Sequence, residues 1–448
     1  MSAIVQRAVC GAGDRQLAET VRQRVVARLA AYADEREAAG LPPEGEAQRR
    51  ATTQRLVEEE LAARARAALA QGSIAFDRAA EERIAQTVID ALFGTGALER
   101  LLADESVENI CVNGCDTVWV RSSDGTWSSG PAVAASDAEL VEMVRTLATS
   151  VEGEERRFDR GVPRLNMQMP DGSRLFAVMA VTGRVSLSVR RHRFPAASME
   201  DLVRLGVCDE PMAALLSALV RARKNIIIGG GTNVGKTTVL RAFASQIPST
   251  ERLITIEDTF ELGLDADQGA HPNVVAMQAR EPNIEGQGAI DQAELVRWGL
   301  RMSPDRVIVG EIRGSEVIPM CNAMSQGNDG SLSTIHASTS RGVFTKLAAY
   351  AAQAPERLSL EATNLLVASA VHFVVHLGWD AEGKRVIDSV REVVDADGPQ
   401  LVSNEIYRPG PDGRAVPATP LRAETLQDLI GAGLHAEAAG FTWWGADR

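Results

Sequence analysis

The segment Gly230-Gly-Thr-Asn-Val-Gly-Lys-Thr237 limits what this chain can fold into more than any other. It reads G-x-x-x-x-G-K-[ST]. It lies between the apolar run Asn225-Ile-Ile-Ile and the helical run Thr238-Val-Leu-Arg-Ala-Phe-Ala, the strand–loop–helix setting in which that spacing has a mechanism. Glycines let backbone N–H groups converge on phosphate oxygens. The following helix presents free N–H groups and its positive dipole end to the same anion. Lys236 suits the β- and γ-phosphates as a slim point charge, Thr237 offers a hydroxyl to Mg²⁺, and Thr238 stands near the α-phosphate. Gly230, Gly231, Thr232, Asn233, Val234, Gly235, Lys236, Thr237 and Thr238 are therefore the expected nucleotide-binding residues. An incidental glycine-rich turn is the bland alternative, and the flanking strand and helix speak against it.

Two further apolar runs end in acids: Arg252-Leu-Ile-Thr-Ile-Glu-Asp-Thr-Phe-Glu261 and Arg306-Val-Ile-Val-Gly-Glu-Ile-Arg313. In open α/β sheets ligands sit beyond the carboxyl ends of the strands. Carboxylates placed there hold Mg²⁺ or orient the attacking water. Glu257 and Glu311 are the candidates, with Glu261 beside them and Glu311 also an expected metal contact. Acids that merely cap a helix are the alternative.

The 448 residues suggest two to three domains, and 45% hydrophobic with 24% charged residues excludes a disordered chain. With 47 basic against 60 acidic residues the net charge is −13, which argues against direct nucleic-acid binding and leaves room for local basic patches. Five scattered cysteines fit a reducing cytoplasm, and Cys111 and Cys115 lack the second pair a zinc site needs. The N-terminus has no apolar run of signal-peptide length. Leu365 to Gly378 is too short to span a membrane and carries His372 and His376. Along the chain, residues 1–92 read as a helical extension, with Leu17, Val21, Val25 and Leu29 at helical spacing and a break near Gly40-Leu-Pro-Pro43. Residues 93–200 read as an α/β domain whose strands flank the turn Pro170-Asp-Gly172 and end at Ser186–Arg191, with a linker from Pro195. Residues 201–394 form the phosphate-loop domain, and 395–448 a tail with one helical stretch near 423–439.

Four blocks resemble the secretion and pilus "traffic" ATPases of the type II/IV superfamily, specifically the CpaF/TadA type. Gly230 to Thr238 resembles the Walker A loop, and Ile254-Thr-Ile-Glu-Asp-Thr-Phe-Glu261 the Asp box. Leu300 to Gly314 is similar to the Walker B segment, and Gly327-Asn-Asp-Gly-Ser-Leu-Ser-Thr-Ile-His-Ala337 to the His box. Leu101 to Gly114 and Pro170 to Arg174 resemble the family's N-terminal domain. The resemblance implies an α/β fold: a RecA-like P-loop domain preceded by a smaller mixed, PAS-like domain. It implies Mg²⁺-dependent ATP hydrolysis by a cytoplasmic homohexamer at the inner face of the cell membrane, moving a pilin-like substrate through an inner-membrane platform protein. It assigns His336 to sensing the γ-phosphate, and Arg174, Arg190 and Arg191 to reaching the nucleotide. Arg280, Arg297, Arg301 and Arg313 become interface candidates. Tad/Flp-type pilus assembly is the first reading. An ATPase of a conjugation-like transfer system, a low-turnover nucleotide-binding regulator and a small-molecule phosphotransferase are the alternatives. Three departures stand out: Asn233-Val234 where Gly-Ser is usual, Asn328 where His is frequent, and His376-Leu-Gly-Trp379 where an arginine is common.

Overall fold

The computed structural model describes residues 12–38, 46–70, 78–92, 98–104, 106–122, 125–150, 157–169, 171–191, 197–280, 282 and 287–435. Pro170, the start of the linker at Pro195 and the last residues of the 423–439 stretch lie outside them. The chain divides into two compact units, Met1–Arg191 and His192–Arg448.

The first unit opens with three helices, α1 (Ala12–Ala38), α2 (Glu46–Ala70) and α3 (Arg78–Leu92). The helical spacing of Val21 and Val25 places them against Leu56, Val57 and Leu61 of α2 and Ile84 and Val88 of α3. A separate layer follows: α4 (Leu98–Ala103), β1 (Val107–Asn113), β2 (Val118–Ser122), β3 (Trp127–Gly130), α5 (Asp137–Ser150), β4 (Arg164–Gln168), β5 (Arg174–Val178) and β6 (Ser186–Arg190). The strands form one antiparallel sheet in the order β3-β2-β1-β6-β5-β4. First and last strands meet in the middle, the wrap expected of a PAS-like layer. Period-two alternation sends Leu175, Ala177, Leu187 and Val189 to the face covered by Leu140, Val144 and Leu147 of α5. The other face carries Trp119, Phe176, Arg174 and Arg190.

The second unit contains α6 (Met199–Arg204), α7 (Glu210–Arg221), β7 (Ile226–Gly230), α8 (Lys236–Ala244), β8 (Leu253–Glu257), β9 (Val274–Gln278), α9 (Gln292–Gly299), β10 (Arg306–Ile312), α10 (Val317–Ser325) and β11 (Leu332–His336). It continues with α11 (Ser340–Gln353), α12 (Leu360–Ala370), β12 (Phe373–Trp379), β13 (Arg385–Asp397), β14 (Gln400–Pro409), β15 (Ala415–Pro417) and α13 (Ala423–Gly431). Its sheet has the order β15-β14-β13-β12-β7-β11-β10-β8-β9. The strands from β12 to β9 in that list are parallel, and β7 lies inside them. This is the expected RecA-like arrangement. Both faces are covered: Leu215, Leu219, Val239 and Phe243 pack on one, and Val296, Met320, Leu347 and Val367 on the other. Parallel strands buried on both sides read as unbroken apolar runs, as Ile226-Ile-Ile does.

The root of β7 is fixed by Asn225, which is fully buried. Its amide nitrogen donates to Met324 O, Asp329 Oδ1 and Ala370 O at 2.7–3.0 Å, and its Oδ1 accepts the N–H groups of Gly330 and Ser331. One expectation needs correction. The boundary drawn between 394 and 395 falls inside β13, and the supposed tail continues the same sheet through β14 and β15. Fully buried Glu392 of β13 ties it further to Arg422 and Thr425 at the start of α13.

Candidate nucleotide site

The loop after β7 is shaped by three residues. Gly230 has no room for a side chain: a Cβ there would lie 2.7 Å from Val234 Cγ2 and 2.9 Å from Leu377 O. Asn233 takes a left-handed conformation, φ 61°, which Asn tolerates better than most residues. Val234 turns inward and is buried with Val239 and Leu240 of α8. The Asn-Val departure is thus a packed variant of the loop, with Asn at a left-handed position and Val as an anchor. Gly235, φ 98°, is the N-cap of α8 and supplies no side-chain cap, so the first-turn N–H groups face the loop. Thr237 and Thr238 stand half-buried in that turn.

Lys236 is 8% exposed. Its ammonium donates to Gly231 O at 2.7 Å and Gly230 O at 3.2 Å, and lies 3.2 Å from His336 Nδ1. An ammonium has no acceptor, so Nδ1 accepts and the imidazole proton sits on Nε2. That Nε2 is 2.9 Å from Glu311 Oε1. Glu311 Oε2 accepts from Arg313 at 2.7 Å, and a second Arg313 nitrogen is 3.2 Å from Asp258 Oδ2. The line Lys236–His336–Glu311–Asp258 follows the strand order β7-β11-β10-β8: Lys236 opens α8 beyond β7, His336 ends β11, Glu311 stands one residue before the end of β10 and Asp258 one residue after the end of β8. Burial acts to raise the pKa of Glu311, but His336 and Arg313 overcome it and hold the carboxyl down at about 2.

A bulge aims Glu311. Pairing of β10 with β11 skips one residue between Val309 and Ile312, and Thr334 Oγ1 donates to the half-buried Gly310 carbonyl at 2.6 Å. Glu257 is spent differently. Its Oε1 accepts the N–H groups of Glu261 and Leu262 at 2.8 and 2.9 Å, fixing the loop after β8. Burial pushes its carboxyl up to about 7. Arg241 of α8 holds the same loop through the carbonyls of Leu262 and Glu261. Glu261 itself is half-buried.

The arginine candidates divide. Arg174 and Arg190 face each other across β5 and β6 in the first unit, and Arg191 just beyond donates to Asp104 O. Arg280 donates to Gly288 O at 2.7 Å. Arg297 and Arg301 line a cavity of about 340 Å³ with Asp291, Glu294 and Trp298. Among the candidates of the second unit, Arg313 joins the phosphate-loop cluster. The sequence reading makes it an interface candidate and misses Asp258; the available signal is that Asp258 directly follows Glu257 and Arg313 stands two residues after Glu311.

Among the described residues no three His, Cys, Asp or Glu side chains converge as a cation site. Among the described residues no helix is long and apolar enough to cross a membrane.

Comparison with known proteins places the chain in a family. The family model for the type II/IV secretion system protein matches residues 92–407. A putative conjugal transfer protein of Mycobacterium tuberculosis is 33% identical over 324 residues, covering 70% of this chain and 88% of its own. The type IV secretion system protein PtlH of Bordetella pertussis is 29% identical over 312 residues, covering 63% and 88%. Among solved structures, the VirB11 ATPase of the Brucella suis type IV secretion system is 26% identical, covers 70% of this chain and 96% of its own, and gives a TM-score of 0.36. With a phosphate loop, a carboxylate on a bulged strand end and a matching model over most of its length, the chain belongs to the type II/IV secretion system protein family.

Proposed function

We propose that this chain is a Mg²⁺-dependent ATPase that works as a homohexameric motor on the cytoplasmic face of the cell membrane, driving Tad/Flp-type pilus assembly through an inner-membrane platform. The observation that carries the reading is the line Lys236–His336–Glu311 across adjacent strand ends, with Lys236 held beside the loop by two backbone carbonyls. A triphosphate on the loop competes with those carbonyls and with His336 Nδ1 for the ammonium. The ammonium then leaves His336 Nδ1 for phosphate oxygen, while Nε2 stays 2.9 Å from Glu311 Oε1. A carboxyl held at about 2 is fully ionised at neutral pH. Glu311 therefore orients the attacking water as an acceptor, which suffices for a transfer that depends on positioning and charge stabilisation. Thr237 and Glu311 would hold Mg²⁺, which when bound neutralises charge on the β- and γ-phosphate oxygens.

Arg174 and Arg190 support a further part of the proposal. Like charges directly opposite on paired strands repel. An anion relieves that, so these two arginines and Arg191 are proposed to meet nucleotide phosphate in the assembled ring. The test is ATP hydrolysis by the purified protein with Lys236→Ala and Glu311→Gln alongside, and sizing with and without nucleotide. Both substitutions should reduce turnover by at least about a hundredfold, in the range usual for loss of a transition-state contact. Turnover unaffected by either would refute the assignment.

The relatives named for conjugal transfer favour a second reading, a motor of a conjugation-like system. Deleting the gene in its host separates the two: loss of pili supports the first, and loss of DNA transfer with pili intact supports the second.

A further inference from the structure

The hairpin of β12 and β13 brings an aromatic side chain to the rim of the phosphate loop. Its register is bulged between His376 and Leu377, after which Leu377 faces Ile387, Gly378 faces Val386 and Trp379 faces Arg385. Leu377 and Ile387 are buried in the same cluster as Val239 and Leu240 of α8. Trp379 and Arg385 are the next same-face positions along their strands, so they lie on the α8 side of the sheet. The contacts are direct. Leu377 O is what a Cβ on Gly230 would meet, at 2.9 Å, and Arg385 Cδ is 3.8 Å from the corresponding point on Gly235. The Arg385 guanidinium lies over the Trp379 ring, 5.6 Å from its centroid. Trp379 is thus one arginine side chain away from the N-cap of α8, and 45% of its surface is exposed.

The hairpin is stiff. Asp380 Oδ1 accepts the N–H groups of Glu382 and Lys384, and its Oδ2 takes Arg414, which also reaches Gly206 O. Asp388 bonds His376 Nδ1 at 2.7 Å and closes over Gly378. A single exposed tryptophan on a surface is ordinary. One fixed on a braced hairpin, beside the loop that takes the phosphates, has the chemistry of a stacking platform.

We propose that Trp379, with Arg385 stacked on it, receives the base of a purine nucleoside triphosphate whose phosphates occupy the Gly230–Thr237 loop. The proposal rests on the nucleotide reading of that loop. Arg385 supports one side of the ring and keeps it beside Gly235, and the exposed part of the indole meets the base. Stacking uses the π-face that every base offers, so the platform favours purines for their larger ring and separates adenine from guanine poorly.

The full-length protein is titrated calorimetrically with ATP, GTP, CTP and inorganic tripolyphosphate, each with Mg²⁺. Trp379→Ala should weaken ATP and GTP by about tenfold or more, the lower-to-middle range of a lost base–aromatic stack. It should leave tripolyphosphate unchanged and remove the preference for purine over CTP. Trp379→Phe should retain most of the affinity. ATP affinity of Trp379→Ala within about twofold of the parent overturns the platform, as does an equal fall for tripolyphosphate. Lys236→Ala keeps the two claims apart. If it weakens both ATP and tripolyphosphate while Trp379→Ala weakens neither, the loop reading stands and the platform falls. If Lys236→Ala changes neither ligand, the loop reading fails and takes the platform with it.

Discussion

Replacing His336 by Ala tests the central contact of the site without nucleotide present. Glu311 held at about 2 instead of its ordinary 4.5 corresponds to roughly 3 kcal/mol favouring the ionised form, at about 1.4 kcal/mol per pH unit. That preference remains after burial has acted against it, and His336 and Arg313 supply it together. The imidazole is 41% exposed and the carboxylate 18%, so solvent screens part of the attraction. The His336–Glu311 contact alone should then contribute about 1–2 kcal/mol. The assay is a double-mutant cycle in urea at pH 7.5 with His336→Ala, Glu311→Gln and the pair. It is read on the unfolding transition that nucleotide shifts, which reports the second unit. The lost Lys236–His336 contact occurs in both arms and cancels. The sign with pH is fixed as well. A lowered carboxyl stabilises above 4.5, and that stability is lost as pH falls toward about 2, so in His336→Ala the loss should be smaller and complete at higher pH. Single effects that add to within about 0.5 kcal/mol would refute the coupling.

Glu257→Gln should do the opposite of weakening the fold in alkali. Its carboxyl is raised to about 7, so its stabilising share is complete below 4.5 and lost as pH rises through 7. Glutamine keeps an acceptor for the N–H groups of Glu261 and Leu262 without a buried charge, and should gain up to about 3 kcal/mol over the parent at pH 8.5 and little at pH 4.5, measured by urea unfolding. Asn225→Leu strands two buried N–H groups and two carbonyls at about 1–3 kcal/mol each, so a loss of at least about 4 kcal/mol is expected in the same measurement; a loss under about 1 kcal/mol would remove Asn225 as the clamp of β7.

The motifs that showed in the sequence are those written in consecutive residues. The phosphate loop is a local pattern, and the strands ahead of Glu257 and Glu311 are short apolar runs, so each could be read without knowing what lies beside it. What stayed hidden depends on pairings between distant residues. Asn225 is one polar residue before a strand, and its partners are 99 to 145 residues away. His336 meets Lys236 across 100 residues, and only the family resemblance pointed to it. Glu257 looked like a twin of Glu311, yet the backbone of the following loop claims its Oε1, and nothing in the string of letters distinguishes a carboxylate so used. The run past residue 394 is rich in Pro, Gly and Asp and reads as a tail, and β14 within it is half-buried with no clean alternation to mark a strand. Its place is set by the β13 strand opposite.

The clamp at Asn225 has a mechanical consequence. A strand held at its root and carrying the phosphate loop at its tip is a cantilever built into a wall. With the root held, β7 cannot slide along its length to absorb a push delivered to the loop. The load passes sideways instead, into β11 through the bond from the Ala337 N–H to Gly230 O and into β12 through Leu377, which packs against Gly230. Displacement should therefore emerge at the ends of those neighbouring strands, one bearing His336 and the other the tryptophan hairpin, while the base of the sheet stays still.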